Sequence, residues 1–584
     1  MVTMTTEKNL NAPWRPNVTS ITLGGFQVFD EIVTIPLRRL TFLFGPNSAG
    51  KSAVEDALVL LHEALTPGPL DGGSGPSYDS AALYDNLHDH PTRFSLYEPQ
   101  RFERLKRDWR KLRGREGLLP HEESLAPTLT LGVGARLHRG DWNKLKGKFG
   151  SKRIKNSPPA DSHEVNITLT YRQMDMDDWP RIQRDFSIVV DENEIARLEE
   201  FERFGLNLAH PMLSSMGWNA DFLALSRTLP DVVVLEGGWL WLKSLGTRIT
   251  ASRMIDRDVF LERTAKSKKP IGASAKIQLR EALEEVARAF DSIESIVRKG
   301  IRLFRPKVVH ASRTVPNRAE LTQLCTSHLD EYQPNCFDKN DVLKEFGLYS
   351  DFSNQYMPLA DSIVHAKLGL AKDDQTLTSL FYGVNHALTD HLFAERGYRL
   401  DADCRILLDI QQFTDINSSD RSDAGQFPIL VRIFLVDSQG RQFSFDEVGS
   451  GLGYVLPILC SVFDPDAYGA LLQQPELHLH PALQTALGDV FIEASSNGIS
   501  QFVIETHSEH LLLRVLKRIR QTARSNGLAT ELRIGPGDVS IVYFEPSPEG
   551  KTTIKHLRIS DDGDFLDRWP RGFFVEREGE LFDE

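Results

Sequence analysis

Residues 45–52 read Gly-Pro-Asn-Ser-Ala-Gly-Lys-Ser, which is the G-x-x-x-x-G-K-S pattern of a phosphate-binding loop. A β-rich run, 39–44, precedes the loop, and a run of helix-forming residues, 53–61, follows it. The two glycines allow the backbone to curl until its N–H groups converge on a phosphate at the positive end of the helix. A chance glycine-rich turn would explain the loop but not its two flanks. The stretch therefore predicts a strand, a phosphate loop and a helix that bind a nucleoside triphosphate.

Two side chains of this loop have specific chemistry. Lys51 is expected to reach the β- and γ-phosphates, and the Ser52 hydroxyl is suited to Mg²⁺. The predicted cofactors are therefore ATP and Mg²⁺. The predicted phosphate-binding set is Gly45, Pro46, Asn47, Ser48, Ala49, Gly50, Lys51 and Ser52.

The size and composition of the chain are those of a folded protein with several structural units. It has 584 residues, of which 41% are hydrophobic and 26% charged, and its formal net charge is -13. Four cysteines without regular spacing predict reduced thiols and a cytoplasmic location. A zinc site at Cys325, His328 and Cys336 would lack a fourth ligand. Neither a signal sequence nor a membrane span is predicted.

One segment carries a strong positive charge within this acidic chain. Residues 101–156 include 16 Lys/Arg and 6 Asp/Glu, an excess of +10. Such a segment is typical of contact with a phosphate backbone, with Trp109, Trp142 and Phe149 available for stacking on bases. A solvated helix followed by a surface loop explains the charges equally well. The nucleic-acid candidates are Lys144, Lys146, Lys148, Lys152, Arg153 and Lys155.

Hydrophobic periodicity predicts sheet, then helices, then sheet along the chain. Residues 198–300 and 318–397 are predicted to be mainly helical, with a core strand at 306–310 between them. The runs that predict an antiparallel sheet are 128–137, 164–171 and 185–191. The predicted domains are an N-terminal lobe over 1–200, a mainly helical arm over 201–400 and a C-terminal lobe over 401–584.

Three further motifs follow in the C-terminal part. Gly449-Ser450-Gly451 precedes an apolar helix. The run 473–481 reads Gln-Gln-Pro-Glu-Leu-His-Leu-His-Pro after a short strand. Another apolar strand leads into Glu505-Thr506-His507-Ser508-Glu509-His510.

In this order the four motifs resemble those of ABC-type ATPases of the RecF, SMC and OLD kind. The resemblance is strongest to the stand-alone RecF-like AAA ATPases of bacteria, which often occur in anti-phage defence operons. It covers about 20–65 and 425–575, including the ending 568–574, and matches the middle loosely through 313–318. The resemblance implies an α/β fold, a split P-loop nucleotide-binding head of the ABC/RecF type with an antiparallel β subdomain and helical insertions.

The resemblance also implies a head-to-tail homodimer or higher oligomer. ATP would lie between the phosphate loop of one protomer and Gly449, Ser450 and Gly451 of the other. A glycine-rich turn at a helix start can supply N–H groups to a γ-phosphate, which fits this arrangement. The same turn is also ordinary helix capping.

The chain departs from its relatives at Gln473 and Gln474. ABC-type sites have two carboxylates here, and the close subgroup often has Glu followed by Gln. An amide neither accepts a proton nor offsets the charge of a metal, so slow hydrolysis with intact ATP binding is predicted. The glutamines are either natural or a change that traps the ATP-bound state.

The remaining catalytic candidates are Glu476 and Glu505, which can partly substitute as the base. His507 matches the switch histidine that is expected to contact the γ-phosphate. Together with Gln473 and Gln474 they form the predicted catalytic set, and Ser52 and Gln473 form the predicted metal set. His478 and His480 are alternatively assigned to a dimer-contact loop.

These features favour an ATP-gated dimeric switch in a DNA-related process, with a separate nuclease or toxin as effector in anti-phage defence. A separate effector is expected because the chain beyond His507 is too short for the nuclease domain that OLD-type proteins append. The alternative is a hydrolysis-poor ATP-binding scaffold that assembles an oligomer around an effector. A transporter ATPase is a third alternative, which the large inserts and the basic segment disfavour.

Overall fold

The structure is a computed structural model that describes a large part of the chain. The described residues are 17–65 without 27 and 30, 128–138, 162–199 without 177–178, 203–207, 233–243 without 237–238, 307–311, 321–325, 357–368, 376–406, and 429–570 without 446, 449–450, 466–468, 497–499, 525–528, 549 and 569. Among their helices, none is long and apolar enough to cross a membrane.

These residues form strands and helices in the following chain order. The strands are β1 Asn17–Gly24, β2 Val33–Pro36, β3 Leu40–Phe44, β4 Thr128–His138, β5 Ser162–Met176, β6 Trp179–Val190, β7 Asn193–Glu199, β8 Arg203–Asn207, β9 Val233–Glu236, β10 Trp239–Lys243, β11 Lys307–Val309, β12 Leu321–Cys325, β13 Arg399–Ile406, β14 Ile429–Val436, β15 Gln442–Phe443, β16 Gly469–Gln473, β17 Gln501–Glu505, β18 Val539–Pro546 and β19 Thr552–Leu557. The α-helices are α1 Lys51–Leu65, α2 Met357–Leu368, α3 Thr376–His386, α4 Gly451–Val462, α5 Pro481–Ala494 and α6 Glu509–Ala523. A π-helical turn, Ala387–Leu392, continues α3, and short 3-10 turns lie at Thr530–Leu532 and Pro536–Asp538.

The chain divides into two compact units, each built from separated segments. Unit 1 comprises Met1–Arg38, Gly45–Phe304 and Val542–Lys555; unit 2 comprises Arg39–Phe44, Arg305–Ile541 and His556–Glu584. The chain passes from unit 2 to unit 1 between Phe44 and Gly45, at the start of the phosphate loop. The three predicted domain ranges stay a prediction.

Unit 1 contains a nine-stranded antiparallel sheet in the order β2-β1-β4-β5-β6-β7-β8-β10-β9. Alternate residues of its strands face a core, as the period of two requires. The buried side chains of this face include Ile21, Leu23, Leu131, Val133, Val165, Ile167, Ile188 and Val190. The predicted antiparallel sheet is confirmed, and α1 packs against β4.

The prediction that residues 198–300 are mainly helical is wrong at the strands β8, β9 and β10. β10 pairs with both of the other two strands and extends the large sheet. Local periodicity does not report such long-range pairing, so the sequence alone indicated the wrong structure here. Most of the range 198–300 lies outside the described residues, so its helical content stays a prediction there.

Unit 2 contains the parallel strands β11, β16, β17 and β3, in that order. All five residues of β3 and all five of β17 are buried, as expected for central strands covered on both faces. The sheet continues in the order β3-β18-β19, and a separate sheet has the order β12-β14-β13 with β15 beside β14. The α/β fold class is confirmed, and the core strand predicted at 306–310 is β11.

Helix α5 is held at its middle and at its carboxyl end. At its middle, the buried Asp489 carboxylate accepts hydrogen bonds from Arg514 Nη1 and Arg518 Nη2, both at 2.7 Å, which join α5 to α6. At its end, Arg39 Nε donates to Ser495 Oγ at 2.9 Å, and the same guanidinium donates to the carbonyl of Ile492. Because Arg39 directly precedes β3, the end of α5 is fixed to the start of that strand.

Two histidines from α3 and its π-helical turn contact Glu493 near the same end of α5. Burial would raise the pKa of Glu493, but hydrogen bonds from His386 and His391 lower it to about 2. The hydrogen bond to Glu493 raises the pKa of His386 against the effect of burial.

Candidate functional site

The phosphate loop is closed around the side chain of Lys51. The ammonium group donates hydrogen bonds to the carbonyls of Gly45 at 3.0 Å and Pro46 at 2.9 Å. Lys51 is only 3% exposed, so its charge is held inside the loop, whereas Ser52 at the start of α1 is exposed. An ammonium and a helix start together suit the phosphate chain of a nucleotide.

Only glycine fits at the two glycine positions of the loop. Gly45 has φ 146° and Gly50 has φ 95°, conformations that L side chains rarely adopt. A Cβ atom on Gly45 would lie 2.7 Å from the carbonyl oxygen of Phe544, and one on Gly50 would lie 2.3 Å from Val28 Cγ2. Thr552 Oγ1 also donates to the carbonyl of Ala49 at 2.9 Å. Residues distant in sequence therefore fix the path of the loop.

The other motif residues gather at the carboxyl ends of β16 and β17. Gln473 lies beside Glu505 in the parallel register, and the Gln474 N–H donates to the Glu505 carbonyl at 2.7 Å. Gln474 and His478 have φ 43° and 63°, so the Gln-Pro-Glu-Leu-His turn contains two non-glycine residues in the left-handed region. Strain of this kind concentrates at functional sites.

The side chain of Gln473 points to the end of β11. Its Oε1 accepts a hydrogen bond from the Ala311 N–H at 3.2 Å and lies 3.3 Å from Nδ1 of His310. The oxygen predicted to hold a metal is therefore neutral and already engaged by a backbone donor. Its role as a metal ligand stays a prediction.

Glu476 joins the segment after β16 to the segment after β17 through hydrogen bonds. Its Oε2 accepts the Thr506 hydroxyl at 2.7 Å, and its Oε1 accepts the His507 N–H at 2.7 Å. Glu476 is 9% exposed and Thr506 is fully buried. Glu476 thus sets the position of His507, while the roles of Glu476 and Glu505 as base stay predictions.

A second set of hydrogen bonds runs through the start of α6. The Ser508 hydroxyl caps this helix by accepting the Leu511 N–H at 3.1 Å, and it donates to Gln484 Oε1 at 2.7 Å. Gln484 Nε2 in turn donates to the Leu479 carbonyl at 3.0 Å. His507 is therefore held between two hydrogen-bonded contacts with the 473–481 segment.

The helix that follows the Gly-Ser-Gly motif contacts this segment. Gly451 begins α4, and the Tyr454 ring lies 4.2 Å from the His478 ring with 33° between their planes. Gly449 and Ser450 lie outside the described residues. The nucleic-acid candidates Lys144, Lys146, Lys148, Lys152, Arg153 and Lys155 also lie outside them.

Sequence reasoning missed several residues that shape the site. Gln484 and Thr552 gave no signal, because each acts through a partner far away in the chain, and the motif that contains Thr506 did not indicate its hydrogen bond to Glu476. The capping role of Ser508, which belongs to the same motif, could have been found, since a serine directly before an amphipathic run is a common N-cap. The sequence indicated His310 only as the end of a core strand, and it gave no role to Ala311.

One protein-family model matches the chain. The family is described as "AAA domain, putative AbiEii toxin, Type IV TA system", and the match covers residues 326–514. This range contains the 473–481 segment and the His507 segment, whereas the phosphate loop precedes it. No curated protein matches the chain.

Solved structures of SMC heads are also similar to the chain. The Smc head bound to the C-winged helix domain of ScpA is 12% identical over 93% of this chain and 98% of that one, with a TM-score of 0.36. The Smc head with an extended coiled coil from Pyrococcus furiosus is 12% identical over 93% and 96%, with a TM-score of 0.33. The SMC head domain from Thermotoga maritima is 8% identical over 93% and 100%, with a TM-score of 0.31.

Proposed function

We propose that this chain, which carries a P-loop ATPase domain of the ABC and AAA type, works as an ATP-gated switch that closes by dimerisation. ATP binding through Lys51 would close two protomers, and a separate effector would respond to the closed form. DNA is the expected context of that response.

The observation that carries the proposal is the order of the strands that bear the motifs. Strands β16, β17 and β3 are adjacent and parallel, so their carboxyl ends share one edge of the sheet. Gln473 ends β16, Glu505 ends β17, and the phosphate loop leaves β3. Ligands of parallel α/β sheets bind at this edge.

The contacts of His507 support a role in sensing the nucleotide. The Thr506 N–H donates to the Leu43 carbonyl at 3.3 Å, and Leu43 is the penultimate residue of β3. The His507 N–H is held by Glu476. A few hydrogen bonds therefore connect the end of β3 with His507 and with the turn that contains His478. A movement at the end of β3 on nucleotide binding could reach His507 through them.

Slow hydrolysis is part of the proposal. In an ABC-type site, Mg²⁺ balances phosphate charge and a carboxylate orients the attacking water. Here Ser52 and the neutral oxygen of Gln473 would be the protein ligands, which suit Mg²⁺ less well than a carboxylate. Long-lived ATP binding would keep a dimer closed for longer than rapid turnover would.

A separate effector and a role in anti-phage defence extend the proposal. They are supported by the resemblance to RecF-like ATPases of defence operons and by the match to a toxin–antitoxin family. The effector is expected to be a nuclease or a toxin. Candidate DNA contacts are the lysines and the arginine between 144 and 155.

The test measures dimerisation and hydrolysis in the same preparations. ATP with Mg²⁺ is expected to shift the full chain from monomer to dimer in analytical ultracentrifugation, and Lys51→Ala is expected to abolish the shift. Gln473→Glu keeps an oxygen that accepts the Ala311 N–H and adds a negative charge, so we expect hydrolysis to rise by about tenfold or more.

Gln473→Asn is the matched control, because it changes the side-chain length without adding charge. Equal hydrolysis by Gln473→Glu and wild type, with intact ATP binding, would favour the scaffold function. A chain that stays monomeric with saturating ATP would exclude the dimeric switch.

A further inference from the structure

A cluster of metal-ligating side chains lies at the carboxyl end of α5, away from the motifs. His386 ends α3, His391 lies in the π-helical turn, and Glu493 is the penultimate residue of α5. Their potential ligand atoms all lie within 4.8 Å of one another. The ATPase motifs use none of these residues.

The π-helical turn brings the two histidines to one side. In a regular α-helix, residues five apart point in directions that differ by about 140°, at 3.6 residues per turn. The wider turn has an i to i+5 hydrogen bond, from the Phe393 N–H to the Leu388 carbonyl at 2.8 Å. The His386 and His391 rings therefore lie 5.6 Å apart, and both contact Glu493. Single π-helical turns within helices are often found at functional sites.

The Glu493 carboxylate lies between the two rings. Its Oε1 is 2.6 Å from His386 Nε2, and its Oε2 is 2.5 Å from His391 Nε2. Two histidines and a glutamate are a common ligand set for Zn²⁺. Ligands at about 2.1 Å from one ion are at most about 4.2 Å apart, so small side-chain rotations suffice to complete the set.

Asp390 supplies the outer contact that metal-binding histidines usually have. Its Oδ2 lies 2.8 Å from His386 Nδ1, and its Oδ1 accepts the Thr389 hydroxyl at 2.7 Å. This contact directs Nε2 of His386 towards Glu493. A carboxylate on the far nitrogen is the usual way in which a protein orients such a ligand.

The burial of the cluster also suits an ion. The side chains of His391 and Glu493 are 14% and 18% exposed, whereas that of His386 is 45% exposed. The cluster is thus closed on one side and open on the other, where an ion can enter and a water can complete its coordination. The end of a helix also favours positive charge, because its carbonyl groups point outward.

We propose that His386, His391 and Glu493 bind one divalent transition-metal ion, with Zn²⁺ as the expected occupant and Asp390 as a positioning residue. The ion joins the end of α3 to the end of α5. In the metal-free chain the same side chains are joined by hydrogen bonds, so the cluster is preorganised for the ion.

The test uses the full chain, stripped with a chelator and then titrated with Co²⁺ and with Zn²⁺. Wild type is expected to show the visible absorption of tetrahedral Co²⁺, which Zn²⁺ displaces, and to retain Zn²⁺ after dialysis. The double variant His386→Gln, His391→Gln is expected to lose the absorption and to retain one Zn²⁺ fewer per chain. His365→Gln, on the neighbouring helix α2, is the matched control and is expected to behave as wild type.

Two further variants keep the test decisive. Glu493→Gln preserves an acceptor for one ring, so it tests metal loss if the double variant does not fold. Asp390→Asn is expected to weaken Zn²⁺ affinity by about 10- to 100-fold without abolishing binding. Equal Zn²⁺ retention by wild type and all cluster variants, or a wild type without the Co²⁺ absorption, would overturn the proposal. Lys51→Ala is expected to leave metal binding unchanged, which separates this site from the ATPase proposal.

Discussion

The two ends of helix α5 differ in how they are built. The amino end follows the 473–481 segment directly, and its contacts run to the adjacent strand end through Glu476 and to α6 through Gln484. The carboxyl end is assembled with two distant segments, one that supplies Arg39 and one that supplies both His386 and His391. The amino end begins in a recognisable sequence motif, whereas no motif marks the carboxyl end.

The two ends also suit opposite charges. The helix dipole makes an amino end favourable for anions and a carboxyl end favourable for cations. The motif segment proposed to serve a nucleotide precedes the amino end, whereas a guanidinium and two imidazoles surround the carboxyl end. A helix of 14 residues separates them by about 20 Å, at 1.5 Å per residue. We therefore expect perturbations of the two ends to be separable, unless they act on the middle of the helix.

The largest effect is expected from Asp489→Ala, because this residue joins the middle of α5 to α6. Its carboxylate is buried and paired with Arg514 and Arg518, which are 23% and 14% exposed. Removal leaves two arginines without their partner and should lower the free energy of unfolding by about 3 kcal/mol. Urea denaturation measures the loss, and hydrogen exchange should become faster at both ends of α5. Lys367→Ala, in an exposed pair with Asp401, is the control and should cost about 0.5 kcal/mol or less.

Glu476→Ala should affect the amino end alone. The Thr506 hydroxyl and the His507 N–H would lose their acceptor, at a cost of about 2 kcal/mol. Hydrogen exchange is expected to become faster at 505–511 and to stay unchanged at 490–495. Glu476→Gln keeps one acceptor and should cost less. Faster exchange at 490–495 in Glu476→Ala would show that the two ends are coupled.

Arg39→Ala is the corresponding change for the carboxyl end, with a smaller expected cost of about 1–2 kcal/mol. The guanidinium donates to Ser495 Oγ, to the Ile492 carbonyl and, at 3.0 Å, to the Arg533 carbonyl. Exchange should become faster at 490–495 and not at 505–508. Arg39→Lys should restore only part of the stability, since an ammonium on a flexible chain cannot donate to all three acceptors as the planar guanidinium does. Full recovery by lysine would show that charge alone holds this end.

The sequence indicated the amino end because residues 473–481 form one recognisable motif. The phosphate loop, Gln473, Glu505 and His507 are candidates from motif order and spacing, whereas the parallel pairing of β16, β17 and β3 is seen only in the structure. The carboxyl end gave no signal, because Glu493 lies more than 100 residues from His386 and the π-helical turn has no known spacing rule. For a similar reason, β8 to β10 were mistaken for helix, since strand pairing is decided by distant partners.

The smallest change in stability is expected from His480→Ala, at the very start of α5. His480 Nδ1 accepts the Ala482 N–H at 3.3 Å, so the loss of this cap should cost only about 0.5 kcal/mol. His480 is exposed, so its side chain is accessible to a second protomer. If the 473–481 segment does contact a second protomer, His480→Ala should weaken ATP-dependent dimerisation by much more than its loss of stability explains. His480→Asn supplies a better cap and should restore stability without restoring dimerisation. If the loss and recovery of dimerisation in the two variants match the loss and recovery of their stability, His480 only caps the helix. The amino end of α5 would then act through Glu476 and His507 alone.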